Sequence, residues 1–365
     1  MVVAYRLGYL DVTPLFTKFT RRRLMTDQPK LRWGILGAAR INERLLPAIV
    51  EARNAELVAI ASRRPGAAAE TLAKYAPNQS GITAHDGLEP LLDDDRIQAV
   101  YLPMANEEHA EWALKAIARG KHVLIEKPMA LAVADIEAIE TAARQQGVTV
   151  MEGFMYRFHP QHARVRELLA SGLIGDIKFV RTSFSFQMKP ARLYRLARDI
   201  SLGGGAMWDI GCYAVHTARM WFDDAPLAVT AMTQTVEIGA DISTSGIVDF
   251  GGGRRAHFDF SFECTRRSEY EITGTLGAIK CPTVWQLPGD VPEIHWWTED
   301  GRRGEERLKP ANHFVLEVEA FSESVLAGRP PLLSFEDAKA NCRVIVAALE
   351  SAATGRTISI ATASA

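Results

Sequence analysis

The sequence predicts an α/β protein: a doubly wound parallel sheet in the first half, then a second α/β unit rich in strands. Three observations carry this. From Leu31, short apolar runs alternate with helical stretches for more than a hundred residues, the pattern of repeated βαβ units. The first run, Leu31-Arg32-Trp33-Gly34-Ile35-Leu36, passes through Gly37-Ala38-Ala39-Arg40-Ile41-Asn42 straight into a helical pattern at Leu45, Leu46, Ile49 and Val50. A later run, Val123-Leu124-Ile125, stops at Glu126-Lys127-Pro128. Proline cannot continue a central strand, so a charged pair is left at a strand's carboxyl end, where open α/β sheets bind their ligands.

Taken in order, the first half offers strands at 31–36, 56–61, 99–102, 123–125 and 148–151. Between them come helices at 65–75, 109–119 (with Gly120 as the stop) and 135–146, and a short turn of helix at 88–92. Asp93-Asp94-Asp95 is expected to be a solvated loop, because three adjacent carboxylates do not share a face. Residues 152–160 are the expected hinge, followed by a helix bearing Val165, Leu168 and Leu169 that Gly172 stops. Residues 178–186 alternate as a strand, with Val180, Thr182, Phe184 and Phe186 on one face. Gly203-Gly204-Gly205 then breaks the chain and opens a helix over 206–222. On it Asp209, Tyr213 and His216 stand at i, i+4 and i+7 and share a face. Strands come next at 228–238, 245–250, 255–263, 270–273, 277–281 and 294–298, with Gly251-Gly252-Gly253 as a hairpin turn. Trp296 and Trp297 read as sheet or interface packing. Helices at 314–326 and 335–353 end the chain, the last expected to return toward the first domain.

The chain's 365 residues are enough for two domains and a sizeable core. A formal charge of −2 gives no electrostatic reason to expect nucleic acid or a membrane as partner. No apolar run has membrane-spanning length. Cys212, Cys264, Cys281 and Cys342 form no CxxC pair, so neither a metal site nor a disulfide framework is indicated; reduced thiols in a cytoplasmic protein are expected. Residues 1–29 differ in character from the rest of the chain. Arg21-Arg22-Arg23 faintly suggests a twin-arginine signal, but Thr26-Asp27-Gln28-Pro29-Lys30 stands where its apolar segment belongs. A loosely ordered extension is expected there, or upstream sequence if translation starts at Met25. The expected division is then 30–151 as a dinucleotide-binding domain and 152–365 as a substrate and oligomerisation domain.

The strand–turn–helix at 31–50 is the context a dinucleotide fingerprint requires. Gly37 takes the first glycine position, Ala39 the second and Asn42 the third. Small residues let a pyrophosphate approach, and the helix N-terminus adds N–H groups and positive dipole. The second strand ends in Ser62-Arg63-Arg64 with no carboxylate. An acidic residue there would accept the ribose hydroxyls of NAD, whereas a hydroxyl and guanidinium groups donate to the 2′-phosphate of NADP; NADP is favoured over NAD.

Trp33-Gly34-Ile35-Leu36-Gly37-Ala38-Ala39, Asn106-Glu107-Glu108-His109, Glu126-Lys127-Pro128 and the run from Gly203 to Tyr213, in this order and spacing, resemble the glucose-fructose oxidoreductase / inositol dehydrogenase / MocA family. Tyr213, where inositol dehydrogenases carry His, places the likeness nearest the glucose-fructose oxidoreductase, dihydrodiol dehydrogenase and NADP-dependent xylose dehydrogenase group. The resemblance implies a Rossmann domain, then an α/β domain with a large, open-faced, mostly antiparallel sheet through which dimers or tetramers form. It also implies that Lys127, Asp209 and Tyr213 line a pocket beside the nicotinamide. With it, the expected cofactor contacts are Gly37, Ala38, Ala39, Arg40, Ile41, Ser62, Arg63, Arg64, Leu102, Pro103, Asn106, His109, Glu126, Lys127 and Arg157. Expected substrate contacts are Lys127, Arg157, Tyr194, Arg195, Asp209, Tyr213 and His216, the last more a structural histidine than a catalytic one.

The expected chemistry is hydride transfer between NADP and a hydroxyl- or carbonyl-bearing carbon of a sugar, sugar derivative or cyclic diol. Tyr213 is the candidate acid/base, Lys127 the ammonium that favours its phenolate, and Asp209 the group that keeps Lys127 charged and oriented. A non-catalytic NADP-binding regulator on the same fold would keep the turn but lose one of these three. A purely structural protein would bind no nucleotide.

Overall fold

The computed structural model describes residues 29–222, 224–285 and 289–360; the expected extension, apart from Pro29, lies outside them. The first sheet contains β1 (Leu31–Leu36), β2 (Ala55–Ser62), β3 (Thr83–Asp86), β4 (Ala99–Leu102), β5 (His122–Glu126) and β6 (Val150–Gly153), in the order β3-β2-β1-β4-β5-β6 and all parallel. The strand order reverses between β1 and β4, which opens a crevice at their carboxyl ends. Helices α1 (Asn42–Glu51), α2 (Ala67–Tyr75), α3 (Glu89–Leu92), α4 (His109–Ile117) and α5 (Val133–Gln146) complete this layer. β4 is buried at every residue, as a strand covered on both faces must be. Its neighbour β1 carries Gly34 because a Cβ there would stand 2.8 Å from Leu91 Cδ2. The edge strand β3, Thr-Ala-His-Asp, has no apolar run to reveal it and escaped the sequence reading.

After α6 (Pro160–Ala170) the chain builds a second sheet. Its strands are β7 (Ile177–Ser185), β8 (Ala228–Thr235), β9 (Asp241–Asp249), β10 (Arg255–Ser261), β11 (Arg267–Gly274), β12 (Gly277–Cys281), β13 (Glu293–Thr298), β14 (Arg303–Arg307) and β15 (Ile358–Ser359). Their order is β14-β13-β12-β11-β7-β10-β9-β8-β15. β7 and β10 run parallel and the other described pairs antiparallel. Along β10, Ala256, Phe258 and Phe260 are buried and alternate with more exposed Arg255, His257 and Asp259, so one face meets the core and the other is open. Helices α7 (Cys212–Arg219), α8 (His313–Leu326) and α9 (Phe335–Thr354) complete the unit. The short, polar β14 and β15 were not legible as strands.

The single helix expected over 206–222 is instead a π-helical turn, Met207–Gly211, running into α7. Buried Asp241 accepts the Met207 N–H at 2.8 Å, and burial pushes its carboxyl up to about 6 against that bond. Gly211 lies on the rings of β10: a Cβ there would come within 2.6 Å of Phe260. The widened turn thus places chain on the sheet too closely for a side chain.

Two helices from the end of the chain tie the sheets together. On α8, the Phe321 ring packs at a tilt, its centroid 5.2 Å from that of Trp33, whose indole N–H donates to Ser322 Oγ at 3.1 Å. On α9, Ala338 and Cys342 share a core with Ile136 and Ile139 of α5, and Lys339 Nζ reaches Glu140 Oε2 at 2.9 Å.

Candidate active site

The carboxyl ends of β1, β4 and β5 form one wall of a cleft of about 1600 Å³. The opposite wall is the π-helical turn, the end of β7 and the segment 189–205. Pro128 ends β5 and leaves Glu126 and Lys127 facing the cleft. Lys127 Nζ donates to the Asp209 carbonyl oxygen at 2.7 Å and lies 3.4 Å from Asp209 Oδ1. Arg195 donates to the other carboxylate oxygen of Asp209. Asp209 is therefore held between two cations, one from each wall.

Tyr213 joins them, though not as the sequence suggested. Its hydroxyl reaches Met155 Sδ at 3.4 Å, and Lys127 Nζ sits over its ring, 5.0 Å from the centroid. The ammonium turns to a carbonyl and a carboxylate, both stronger acceptors than a phenol oxygen. Burial, with Glu126 adding repulsion, drives the Tyr213 hydroxyl well above its ordinary value, so the phenol keeps its proton. The expected phenolate is not favoured in this arrangement. The ring is fixed by edge contacts to Phe154, Phe184 and Trp285 at 5.3, 5.8 and 6.2 Å.

Glu126 accepts a hydrogen bond from Tyr101. Burial raises its carboxyl above the usual range, with Lys127 opposing. Buried Glu317 on α8 is raised well above its ordinary value by burial and by Glu126.

Ala39, Arg40, Ile41, Pro103, Asn106 and Tyr194 also line the cleft. Asn106 Nδ2 donates to the Gly203 carbonyl at 2.8 Å, bridging the walls. Gly37 adopts φ +146, a region open to glycine, and its carbonyl accepts from Asn42 Nδ2 at 2.8 Å. Asn42, at the third glycine position, thus braces the turn. The remaining expected cofactor residues stand behind or beside this surface. Buried Ser62 Oγ accepts the Arg64 N–H at 3.1 Å, and the Arg64 side chain reaches the Ala38 carbonyl at 3.4 Å. Arg63 is held by both oxygens of Glu108 at 2.5 and 2.9 Å. Leu102 is core. His109, fully buried, spans the Pro128 and Met104 carbonyls at 2.7 and 3.1 Å and so braces the turn that carries Lys127.

Arg157 and His216 are not brought to the cleft. His216 contacts Tyr156 Oη through Nδ1 at 2.5 Å and Asp337 Oδ2 through Nε2 at 2.8 Å. Arg157 lies 3.9 Å, and Arg219 3.3 Å, from the same carboxylate. Burial lowers His216 to about 4. Although burial opposes it, His216, Arg219 and Arg157 hold Asp337 far below the usual carboxylate range. This is a buried joint between α7, α9 and the hinge, set by an acid on α9 that no local pattern announces.

Several cleft residues were missed. Phe184 stacks on Trp285 at 4.4 Å, and Phe186, Lys189, Arg192, Arg198 and Arg266 also line the space. The alternation of β7 offered Phe184 and Phe186 as a shared face; the stacking partner of Phe184, a hundred residues on, was not foreseeable. Among the described residues, no helix is long and apolar enough to cross a membrane.

Comparison with known proteins matches this architecture in order. Residues 31–154 match the model of an oxidoreductase family with an NAD-binding Rossmann fold, and residues 162–280 match the Gfo/Idh/MocA C-terminal domain. The chain is 35% identical over 332 residues to a D-xylose 1-dehydrogenase (NADP(+)) of Haloferax volcanii, covering 90% of this chain and all of that one. It is 33% identical over 265 residues to a trans-1,2-dihydrobenzene-1,2-diol dehydrogenase of Xenopus tropicalis, covering 71% of this chain and 78% of that one. Among solved structures, KijD10, a 3-ketoreductase from Actinomadura kijaniata in complex with NADP and TDP-benzene, superposes with a TM-score of 0.81 at 30% identity, over 88% of this chain and 98% of that one. With both halves matched along one polypeptide, the chain belongs to the Gfo/Idh/MocA family of oxidoreductases.

Proposed function

We propose that the protein is an NADP-dependent oxidoreductase acting on a hydroxyl- or carbonyl-bearing carbon of a sugar, sugar derivative or cyclic diol. The observation that carries this is the convergence of Lys127, Asp209 and Tyr213 at the carboxyl end of β5, in the same cleft as the Gly37–Asn42 turn. The residues fit a dinucleotide. Gly37 holds a φ that a side chain would strain, and the α1 N-terminus comes directly after it. At the end of β2, Arg63 is committed to Glu108, which leaves exposed Arg64, with the Ser62 hydroxyl, to receive a 2′-phosphate. The bound nicotinamide supplies or accepts the hydride.

The protein's share of the work is proton handling and orientation. Tyr213, kept protonated by burial, serves as proton donor to a carbonyl oxygen being reduced; in the oxidative direction the phenol first releases its proton to solvent, and the phenolate then takes the proton of the alcohol. Lys127 brings a positive charge to the oxygen on which negative charge develops. Asp209, clamped by Lys127 and Arg195, holds that charge in place. Phe184, Phe186 and Trp285 offer an apolar wall for the carbon face of a ring. The relatives named for xylose and for a cyclic diol support the substrate class.

The open face of the second sheet exposes Met232 at 79%, with Ile247 and Trp297 partly exposed, which supports a homodimer or homotetramer joined there. Four free cysteines support a cytoplasmic setting. The test is a scan for reduced nicotinamide when purified protein meets NADP with a panel of aldoses and cyclic diols. Turnover with NADP and one such substrate is expected. A wild-type protein that binds neither NADP nor NAD would overturn the reading.

A further inference from the structure

The segment 189–205 brings four cations to the cleft, and most cations in this region have carboxylate partners. Arg195 holds Asp209, Arg198 holds Glu107, and Arg40, facing them from the turn before α1, lies 4.0 Å from Glu43. Arg266 also has its acid, Asp290, at 2.5 Å. Arg192 is different. It lies in the short helical turn Pro190–Arg195, its guanidinium carbon is 5.9 Å from the Phe186 ring centroid, and among the described residues no carboxylate stands within ion-pair distance of it. Its Nε is buried without an acceptor. Burial, then Arg40, then Arg195 disfavour its charge, and Tyr194 and the more distant Glu43 only partly offset them. A partly buried guanidinium held beside two others is costly unless an anion arrives, and the fork it presents suits phosphate oxygens.

We propose that Arg192 is a diphosphate-binding residue, lent by the second domain across the cleft to the cofactor's pyrophosphate at the α1 N-terminus, opposite Arg40. The inference rests on the proposed dinucleotide site and deepens it. Position selects this source over a diphosphate on the substrate: Arg40 belongs to the turn that opens α1, where backbone N–H groups point at a bound phosphate. The segment that carries Arg192 also carries Arg195 and Arg198.

The experiment titrates NADPH into wild type, Arg192→Gln and Arg192→Lys by fluorescence without substrate, at low and high salt. A parallel arm titrates a nucleoside diphosphate into NADP-saturated protein. NADPH binding should weaken ten- to a hundredfold in Arg192→Gln, as loss of a charge-assisted bond implies. It should weaken less in Arg192→Lys, and the gap to wild type should narrow with salt. The nucleoside diphosphate should bind Arg192→Gln and wild type alike. Equal NADPH affinity in wild type and Arg192→Gln would overturn the proposal, and loss confined to the nucleoside diphosphate arm would overturn its assignment to the cofactor. Melting of the unliganded variants, expected to match wild type, separates lost binding from lost fold. Wild type that fails to bind any nicotinamide dinucleotide overturns the functional reading itself, a result distinct from a silent Arg192 substitution.

Discussion

Lys127 Nζ and the main-chain oxygen of Asp209 are 2.7 Å apart, and this bond ties the end of a Rossmann strand to the π-helical turn of the other domain. The ammonium is satisfied by backbone and carboxylate together, so it remains in place when no substrate is present. Pre-set charge of this kind needs no reorganisation as an oxyanion forms.

Replacing Lys127 with Met should therefore lower kcat by about 10²- to 10³-fold, while NADPH affinity stays within a few-fold of wild type. Steady-state kinetics with a fluorescence titration checks both. A kcat near wild type would remove Lys127 from the chemistry.

Tyr213→Phe keeps the ring and its contacts to Phe154, Phe184 and Trp285 and deletes a hydroxyl whose protein partner is Met155 Sδ. The melting temperature should hardly move, while turnover falls about 10²- to 10⁴-fold, the usual worth of a positioned proton donor. Because the phenol's value is raised, ketone reduction by wild type should stay level through neutral pH and fall only in alkali. A descending limb near neutrality would count against Tyr213 as donor.

Glu152 gives a pH test of stability. Its Oε1 accepts the Met129 N–H at 2.8 Å, while Oε2 is buried without a partner. Burial raises the carboxyl from 4.5 to about 8. Below the unfolded value both states hold the proton. Between that value and about 8 the unfolded chain releases a proton that the folded chain keeps, so stability falls as pH rises. Glu152→Gln removes this dependence and should gain on wild type by a few kcal/mol, about one per pH unit, between pH 5 and 8. Urea unfolding at several pH values measures it; a constant gap would refute the assignment.

Trp33 links β1 to α8 through Phe321 and Ser322. Trp33→Ala should cost about 3–5 kcal/mol, the usual range for emptying such a site. Trp33→Phe, which keeps most of the burial but leaves Ser322 without its donor, should cost about 1–2 kcal/mol. Chemical denaturation distinguishes the two, and equal losses would show that the bond to Ser322, absent from both variants, sets the cost rather than packing.

What the amino-acid sequence determined by itself is local. The apolar runs of β1, β4 and β5 need burial on both faces, Gly37 needs a backbone freedom that other residues lack, and Pro128 must end its strand; together they place Lys127 at the mouth of a parallel sheet. Tertiary structure decided what that side chain touches. The π-helical turn, set by Asp241 and by the close approach of Gly211 to Phe260, interrupts the helical spacing that relates Asp209, Tyr213 and His216. It turns the ammonium to Asp209 and leaves Tyr213 beneath it. His216 and Arg157 went to Asp337, 121 residues beyond the histidine, and Trp285 came from beyond β12 to stack on Phe184. Strands and turns arise from the residues that compose them, whereas the partner of a buried charge is chosen by whichever distant acceptor the packed core brings within reach.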